Sequence, residues 1–230
     1  REDEIGVLAL GLEKVVALQG RLARLAYDDD LTGLGNRRRY LGDLETALRE
    51  SLSGERASVL MHLDLDNFKQ INDAFGQKTG DALLKLVSQR IVAVAGEQTR
   101  IARLTSDQFT LLVSDKGSVA QPTAFAETIL DVLRKPFQLS SGEVHVTASI
   151  GIIFLQYDAK DVDEAHRNAG LSVRHAKTIG GDQSLIFASE LNDALQDNIR
   201  MERMLRIAIE EREISIHFQP QIAPATNTLT

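Results

Sequence analysis

Apolar positions at the start of the chain recur at alternating spacings of three and four. Ile5, Leu8, Leu12, Val15, Leu22 and Ala26 share one stripe, interrupted by Gln19. That is the heptad spacing of a helix seeking a partner helix. Leu18 and Leu25 open a second stripe after a three-residue step, a stammer. The pattern predicts one long helix over residues 3–28, either a dimerising coiled coil or an amphipathic helix lying on its own domain. The turn formers of Asp28-Asp29-Asp30-Leu31-Thr32-Gly33-Leu34-Gly35-Asn36 end it. Asn36 then caps a helix running through Tyr40, Leu44 and Leu48.

Beyond that helix the period alternates. Ser58–Leu65 reads as a buried strand, followed by helices over 67–75 and 79–95. Thr99–Leu104 and Gln108–Ser114 form a hairpin, and a helix spans 121–134. Phe137–Leu139 and Val144–Phe154 read as a strand pair around Ser140-Ser141-Gly142. A helix over 161–178 stops at Gly180-Gly181, and Ser184–Phe187 is a short strand. Asn192–Arg212 is a further helix and Ile214–Phe218 a strand that begins something new. The expected fold is α/β, a mixed sheet flanked by helices, near the ferredoxin-like plan.

Composition narrows the function. Net charge is -7, a poor match to a nucleic-acid backbone. With no cysteine there is no disulfide, thiolate nucleophile or Cys-based metal site. No stretch of these residues is long and apolar enough to span a membrane, and none reads as a signal peptide. The chain starts and stops mid-pattern, which reads as a piece of a longer protein.

Two segments carry candidate chemistry. In Met61-His62-Leu63-Asp64-Leu65-Asp66-Asn67-Phe68-Lys69 an apolar strand ends in two carboxylates beside a helix start. That arrangement suits a hard cation and a phosphate, with Lys69 neutralising phosphate charge. The plainer alternative is that Asp66 and Asn67 cap the helix. In Ile71-Asn72-Asp73-Ala74-Phe75-Gly76-Gln77-Lys78-Thr79-Gly80-Asp81, Asn72 donates and accepts while Asp81 accepts twice, enough to read a guanine edge. The alternative is a turn at Gly76 and Gly80 with Asp81 as a cap. His62, His145, His166, His175 and His217 lack metal-ligand spacing and read as core or surface residues. Arg37-Arg38-Arg39 reads as a solvated helix face.

Taken together these motifs, with Leu31-Thr32-Gly33-Leu34 before them and Val146-Thr147-Ala148-Ser149-Ile150-Gly151 after, resemble the GGDEF (diguanylate cyclase) family over about residues 26–188. The resemblance implies a nucleotidyl-cyclase-like fold that condenses two GTP into cyclic di-GMP across a dimer, with Mg2+ or Mn2+. It implies Asp64, the Leu65 carbonyl and Asp107 as metal ligands, and Asp107 as the activator of the attacking hydroxyl. Phe68, Lys69 and Lys177 would serve the phosphates, Lys69 acting catalytically by stabilising transition-state charge, and Asn72 and Asp81 the guanine.

The departures are as informative. The signature Gly-Gly-Asp-Glu-Phe reads Thr105-Ser106-Asp107-Gln108-Phe109. Side chains at Thr105 and Ser106 are expected to crowd the phosphates and reshape the turn, and Gln108 removes a charge. Gly181 stands where the family has arginine, Gln77 where it has histidine, and Gly170 where it has aspartate. The family's inhibitory Arg-x-x-Asp would fall at Gly96-Glu97-Gln98-Thr99, which lacks both residues. Asp3-Glu4-Ile5-Gly6 resembles the end of a HAMP linker, implying a membrane sensor upstream and a cytoplasmic location for this portion. Residues 213–230 resemble the opening of an EAL phosphodiesterase domain, with Gln219 as a ligand contact. The expected layout is a signalling helix (1–28), a GGDEF domain with an altered signature (29–188), a linker helix (189–212) and the EAL start (213–230). Three functions stand open: a GTP-binding regulator of the EAL domain, a weak cyclase, or a non-nucleotide scaffold.

Overall fold

The computed structural model describes Leu18, residues 24–96, 98–115 and 122–188, and two short strands near the C-terminus. Of the expected helix over 3–28, Leu18 and residues 24–27 are described and helical, and residues 3–17 and 19–23 lie outside the described residues, as do the expected helix over 192–212 and the strand over 214–218. Residues 1–188 form one compact unit and 189–230 another.

In the first unit the elements run α1 (Arg37–Leu52), β1 (Ala57–Leu65), α2 (Phe68–Phe75), α3 (Gln77–Ala95), β2 (Thr99–Arg103) and β3 (Gln108–Asp115). They continue with α4 (Pro122–Arg134), β4 (Phe137–Leu139), β5 (Gly142–Val144), β6 (Ala148–Phe154), α5 (Leu155–Asp158), α6 (Val162–Thr178) and β7 (Ser184–Ile186). The main sheet has the order β2-β3-β1-β6-β7. Its pairs are antiparallel except β6 with β7, so the sheet is mixed as expected. In the second unit β8 (Ile222–Ala223) pairs antiparallel with β9 (Thr228–Leu229).

β1 is the centre because it is apolar on both faces. Val59, Met61, Leu63 and Leu65 face a core shared with Leu83, Val87 and Ile91 of α3 and Ile129, Leu130 and Leu133 of α4. Leu60 belongs to a second core with Tyr40, Leu44 and Leu48 of α1 and Ala165 and Ala169 of α6. Period-two alternation sends His62 and Asp64 to this second face. Asn36 caps α1 as expected, accepting from the Arg38 and Arg39 amides. Its own amide donates to the carbonyls of Ala26 and Asp28, fastening the end of the preceding helix.

One expectation and one alternative reading are corrected. Val144–Phe154 is not one strand: Val144 ends β5 in a separate hairpin with β4, and β6 begins at Ala148. The break at 145–147 lets Thr147 turn toward Asp66. Asp81 does not cap α3, which already begins at Gln77. Gly76 alone, with φ 82°, makes the corner between α2 and α3.

Candidate functional site

The end of β1 delivers Asp64 opposite Gln108 of β3 and opposite Ser149 of β6. The Gln108 amide donates to Asp64 Oδ2 at 3.0 Å. Lys177, in the last turn of α6, donates to Asp64 Oδ1 at 2.5 Å and to the Leu65 carbonyl at 3.1 Å. Burial pushes the Asp64 carboxyl above its ordinary value, and Asp107 adds to that push, while Lys177 and Gln108 hold it back.

Lys177 reaches this point because α6 lies hard on the sheet. A Cβ at Gly151 of β6 would stand 2.6 Å from the Val173 nitrogen and would also collide with the Ala169 carbonyl. Only glycine admits that approach. The role of Ser-Ile-Gly in the sequence is therefore packing that positions a lysine.

Asp66 serves structure rather than a ligand. It accepts the hydroxyls of Thr147 and Ser149, both at 2.8 Å, and the Asp182 amide at 3.0 Å. Gly181 lies against the same carboxylate with φ 73°, which disfavours any side chain there.

The hairpin loop closes through a Leu104 amide to Gln108 carbonyl bond of 2.9 Å. Thr105 and Ser106 are exposed, and neither adopts a positive φ, so the loop needs no glycine to form. The Ser106 hydroxyl donates to Asp107 Oδ1 at 2.8 Å. Arg103 holds the loop from behind, donating to the Ser106 carbonyl at 2.9 Å and to both oxygens of Asp29 at 3.1 and 3.2 Å. Burial alone would raise the Asp29 carboxyl, but bonds from Thr32 and Arg103 hold it below its ordinary value.

On the other side of the sheet end, α2 and α3 cross where Gly80 meets Asn72. A Cβ at Gly80 would collide with the Asn72 side-chain oxygen and stand 3.2 Å from the Phe68 ring. Asn72 Oδ1 is buried without a hydrogen-bond partner. Half-buried Asp81 follows Gly80 and has no partner among the described residues. Lys69 is exposed and likewise unpaired among them. Phe68 is in the core at 3% exposure, so only its backbone remains for a phosphate.

The histidines hold what the sequence did not reveal. His62 and His166 share the Tyr40 hydroxyl, each at 3.1 Å. One hydroxyl proton serves one ring nitrogen, so the other imidazole must donate its own N–H. Burial pushes His62 down to about 3, with His166 adding to the shift, so it is neutral. The two histidines lie 104 positions apart in sequence, too far for spacing to signal. With Asp64, Gln108, Arg174 and Lys177 they line a cleft of about 250 Å³.

The donor set at the end of β1 has the hard-oxygen chemistry of a divalent-ion site. In this arrangement the Lys177 ammonium bridges the carboxylate and the carbonyl of that donor set. Among the described residues no three His, Asp or Glu side chains converge to hold a metal.

A mixed five-stranded sheet with helices on both faces, an acidic end to its central strand and a hairpin beside it defines a diguanylate-cyclase-type domain. The family model "Diguanylate cyclase, GGDEF domain" matches residues 26–183, and the chain belongs to that family. It is 35% identical over 221 residues to the bifunctional diguanylate cyclase/cyclic di-GMP phosphodiesterase MucR of Pseudomonas aeruginosa, covering 96% of this chain and 32% of the relative. It is 34% identical over 204 residues to the cyclic di-GMP phosphodiesterase PdeR of Escherichia coli, covering 89% and 30%. The chain thus spans about a third of these relatives' length. The solved GGDEF domain of TpbB (YfiN) from Pseudomonas aeruginosa aligns with TM-score 0.70 and 29% identity, over 74% of this chain and 99% of that one. DgcB from Caulobacter crescentus, solved with its coiled coil and c-di-GMP, shares the fold at TM-score 0.72 and 23% identity, over 80% and 98%.

Proposed function

We propose that this GGDEF domain binds GTP as a signal and does not turn it over at a useful rate. The observation carrying this reading is an asymmetry of hydrogen bonding. Asn72 Oδ1 and Asp81 are unsatisfied where the family resemblance expects guanine readers, while the Asp64 oxygens and Asp107 Oδ1 are engaged by protein donors. A guanine edge offers two adjacent donors, at N1 and the 2-amino group, which suit the Asp81 carboxylate. Asn72 completes the reading, and Lys69 meets the phosphates. The catalytic side is weaker. Lys177 is committed to Asp64, and Asp107 accepts from Ser106, which lessens its ability to take a proton from an attacking hydroxyl.

Downstream, the bound state regulates an EAL phosphodiesterase in the same polypeptide, as the phosphodiesterase names of several relatives support. Upstream, the N-terminal helix pairs with a second copy and conveys a signal from a HAMP-linked membrane sensor. Leu18 and Leu25, on one stripe, are 58% and 63% exposed, which favours a seam awaiting a partner. This portion lies on the cytoplasmic side, and no helix among the described residues is long and apolar enough to cross a membrane.

Calorimetric titration with GTP tests the reading. Asp81→Ala is expected to weaken binding by about 1.5–3 kcal/mol, the range for a hydrogen bond to a charged group. Unchanged affinity in that variant would remove guanine recognition from this site. Weak cyclase activity is the second reading, favoured by the bifunctional name of the 35% identical relative. Cyclic di-GMP detected by mass after incubation with GTP, and lost in Asp107→Asn, would establish it.

A further inference from the structure

We infer that the cation position at the end of β1 belongs to the Lys177 ammonium rather than to a divalent ion, and that Ser106 and Gln108 complete this replacement. Hard cations need oxygens with lone pairs to spare, several at once. Here every one of these oxygens except Asp107 Oδ2 already holds a protein donor. Asp64 Oδ1 and the Leu65 carbonyl accept from Lys177, Asp64 Oδ2 accepts from Gln108, and Asp107 Oδ1 accepts from Ser106.

The two substitutions act in the same direction. A glycine at 106 has no hydroxyl to donate, so Asp107 would keep that lone pair. An ionised glutamate at 108 has no proton to donate and would set a third carboxylate beside Asp64 and Asp107. Three carboxylates against one ammonium call for a divalent ion. Gln108 removes one charge and turns an acceptor into a donor. The remaining imbalance is small enough for a partly exposed site without metal. Two of the three departures from the family signature, Ser106 and Gln108, thus put a donor on an oxygen that the family resemblance assigned to metal. The hairpin is rewired rather than broken.

Gly151 secures the arrangement from the other side. The contact of α6 with β6 at that glycine fixes the last turn of the helix over the end of β1. Lys177 there acts as a clamp between α6 and β1. Guanine recognition at Asn72 and Asp81 is then independent of divalent metal.

Mn2+ binding, followed by the electron paramagnetic signal of the free ion, tests the proposal on the whole chain without nucleotide. The wild type is expected to leave Mn2+ free up to millimolar concentration. Lys177→Met combined with Gln108→Glu restores an oxygen site and is expected to bind one ion about a hundredfold more tightly, since charge count sets affinity in such sites. Saturable one-to-one binding by the wild type, abolished in Asp64→Asn, would overturn the proposal. So would a folded double variant that binds Mn2+ no better than wild type. If the double variant fails to fold, the wild type still decides. A slowly exchanging Lys177 ammonium, unaffected by Mn2+ in nitrogen-detected NMR, supports the clamp, and its release by Mn2+ refutes it. Because no GTP is present, failure of GTP binding would remove the nucleotide reading and leave this one standing.

Discussion

The two sides of the sheet end present opposite states of hydrogen bonding. On the α2–α3 side, Asn72 Oδ1 is buried and unpartnered, and Asp81 and Lys69 have no partner among the described residues. On the hairpin side, Asp64 accepts from Lys177 and Gln108, and Asp107 from Ser106. An unsatisfied buried acceptor costs free energy in the folded protein, and a ligand that satisfies it recovers that cost on binding. A satisfied cluster offers an incoming ligand no such return. On the function proposed above, the difference means that a catalytic fold can lose its chemistry and keep its recognition, since the two depend on different elements.

The comparison can be broken most severely at Gly151. Gly151→Val would drive a branched side chain into the α6 backbone and is expected to cost about 3 kcal/mol or more, by urea denaturation. It should also free Lys177 from Asp64, making the hairpin side as unsatisfied as the other. A smaller and sharper change is Gly80→Ala. The substitution favours α3 by helix propensity but displaces the Asn72 side chain. Stability should stay within about 1 kcal/mol while GTP affinity falls about tenfold. Unchanged affinity would mean that Asn72 is not a reader.

The smallest effect belongs to Asp29, which braces the hairpin through Arg103. Its folded-state pKa lies below the ordinary 3.8. The carboxylate therefore contributes stability at pH above 3.8, and that contribution is lost as pH falls through the lower folded value. Asp29→Asn should cost about 1 kcal/mol at neutral pH and nothing in stronger acid, so the two denaturation profiles converge. Parallel profiles would show that the brace carries no charge-dependent stability.

Much of this was legible beforehand. The alternation of β1, the Asn36 cap, the hairpin and the glycine stop after α6 are local signals, set by side-chain period and backbone preference. The family motifs located Asp64, Asn72, Asp81 and Lys177 on one fold. Other features were not legible. The path of the hairpin loop is one: with Thr105 and Ser106 in place of glycines it closes without a positive φ, a conformation the residue types alone did not reveal. Asp66 looked like a companion of Asp64, but Thr147, Ser149 and Asp182 turn it into a latch. The Tyr40–His62–His166 network joins residues 22 and 126 positions apart, and no spacing rule reaches that far.

By itself the sequence determined the kinds of groups available: two carboxylates kept, one glutamate exchanged for an amide, two glycines for hydroxyl side chains. These are properties of single positions. Which oxygen each donor would meet was decided only by the tertiary structure. Pairing of β1 with β3 set Gln108 across from Asp64, and the close approach at Gly151 brought Lys177 over both. Hydrogen bonds act over about 3 Å, so partnership depends on packing that no single segment contains.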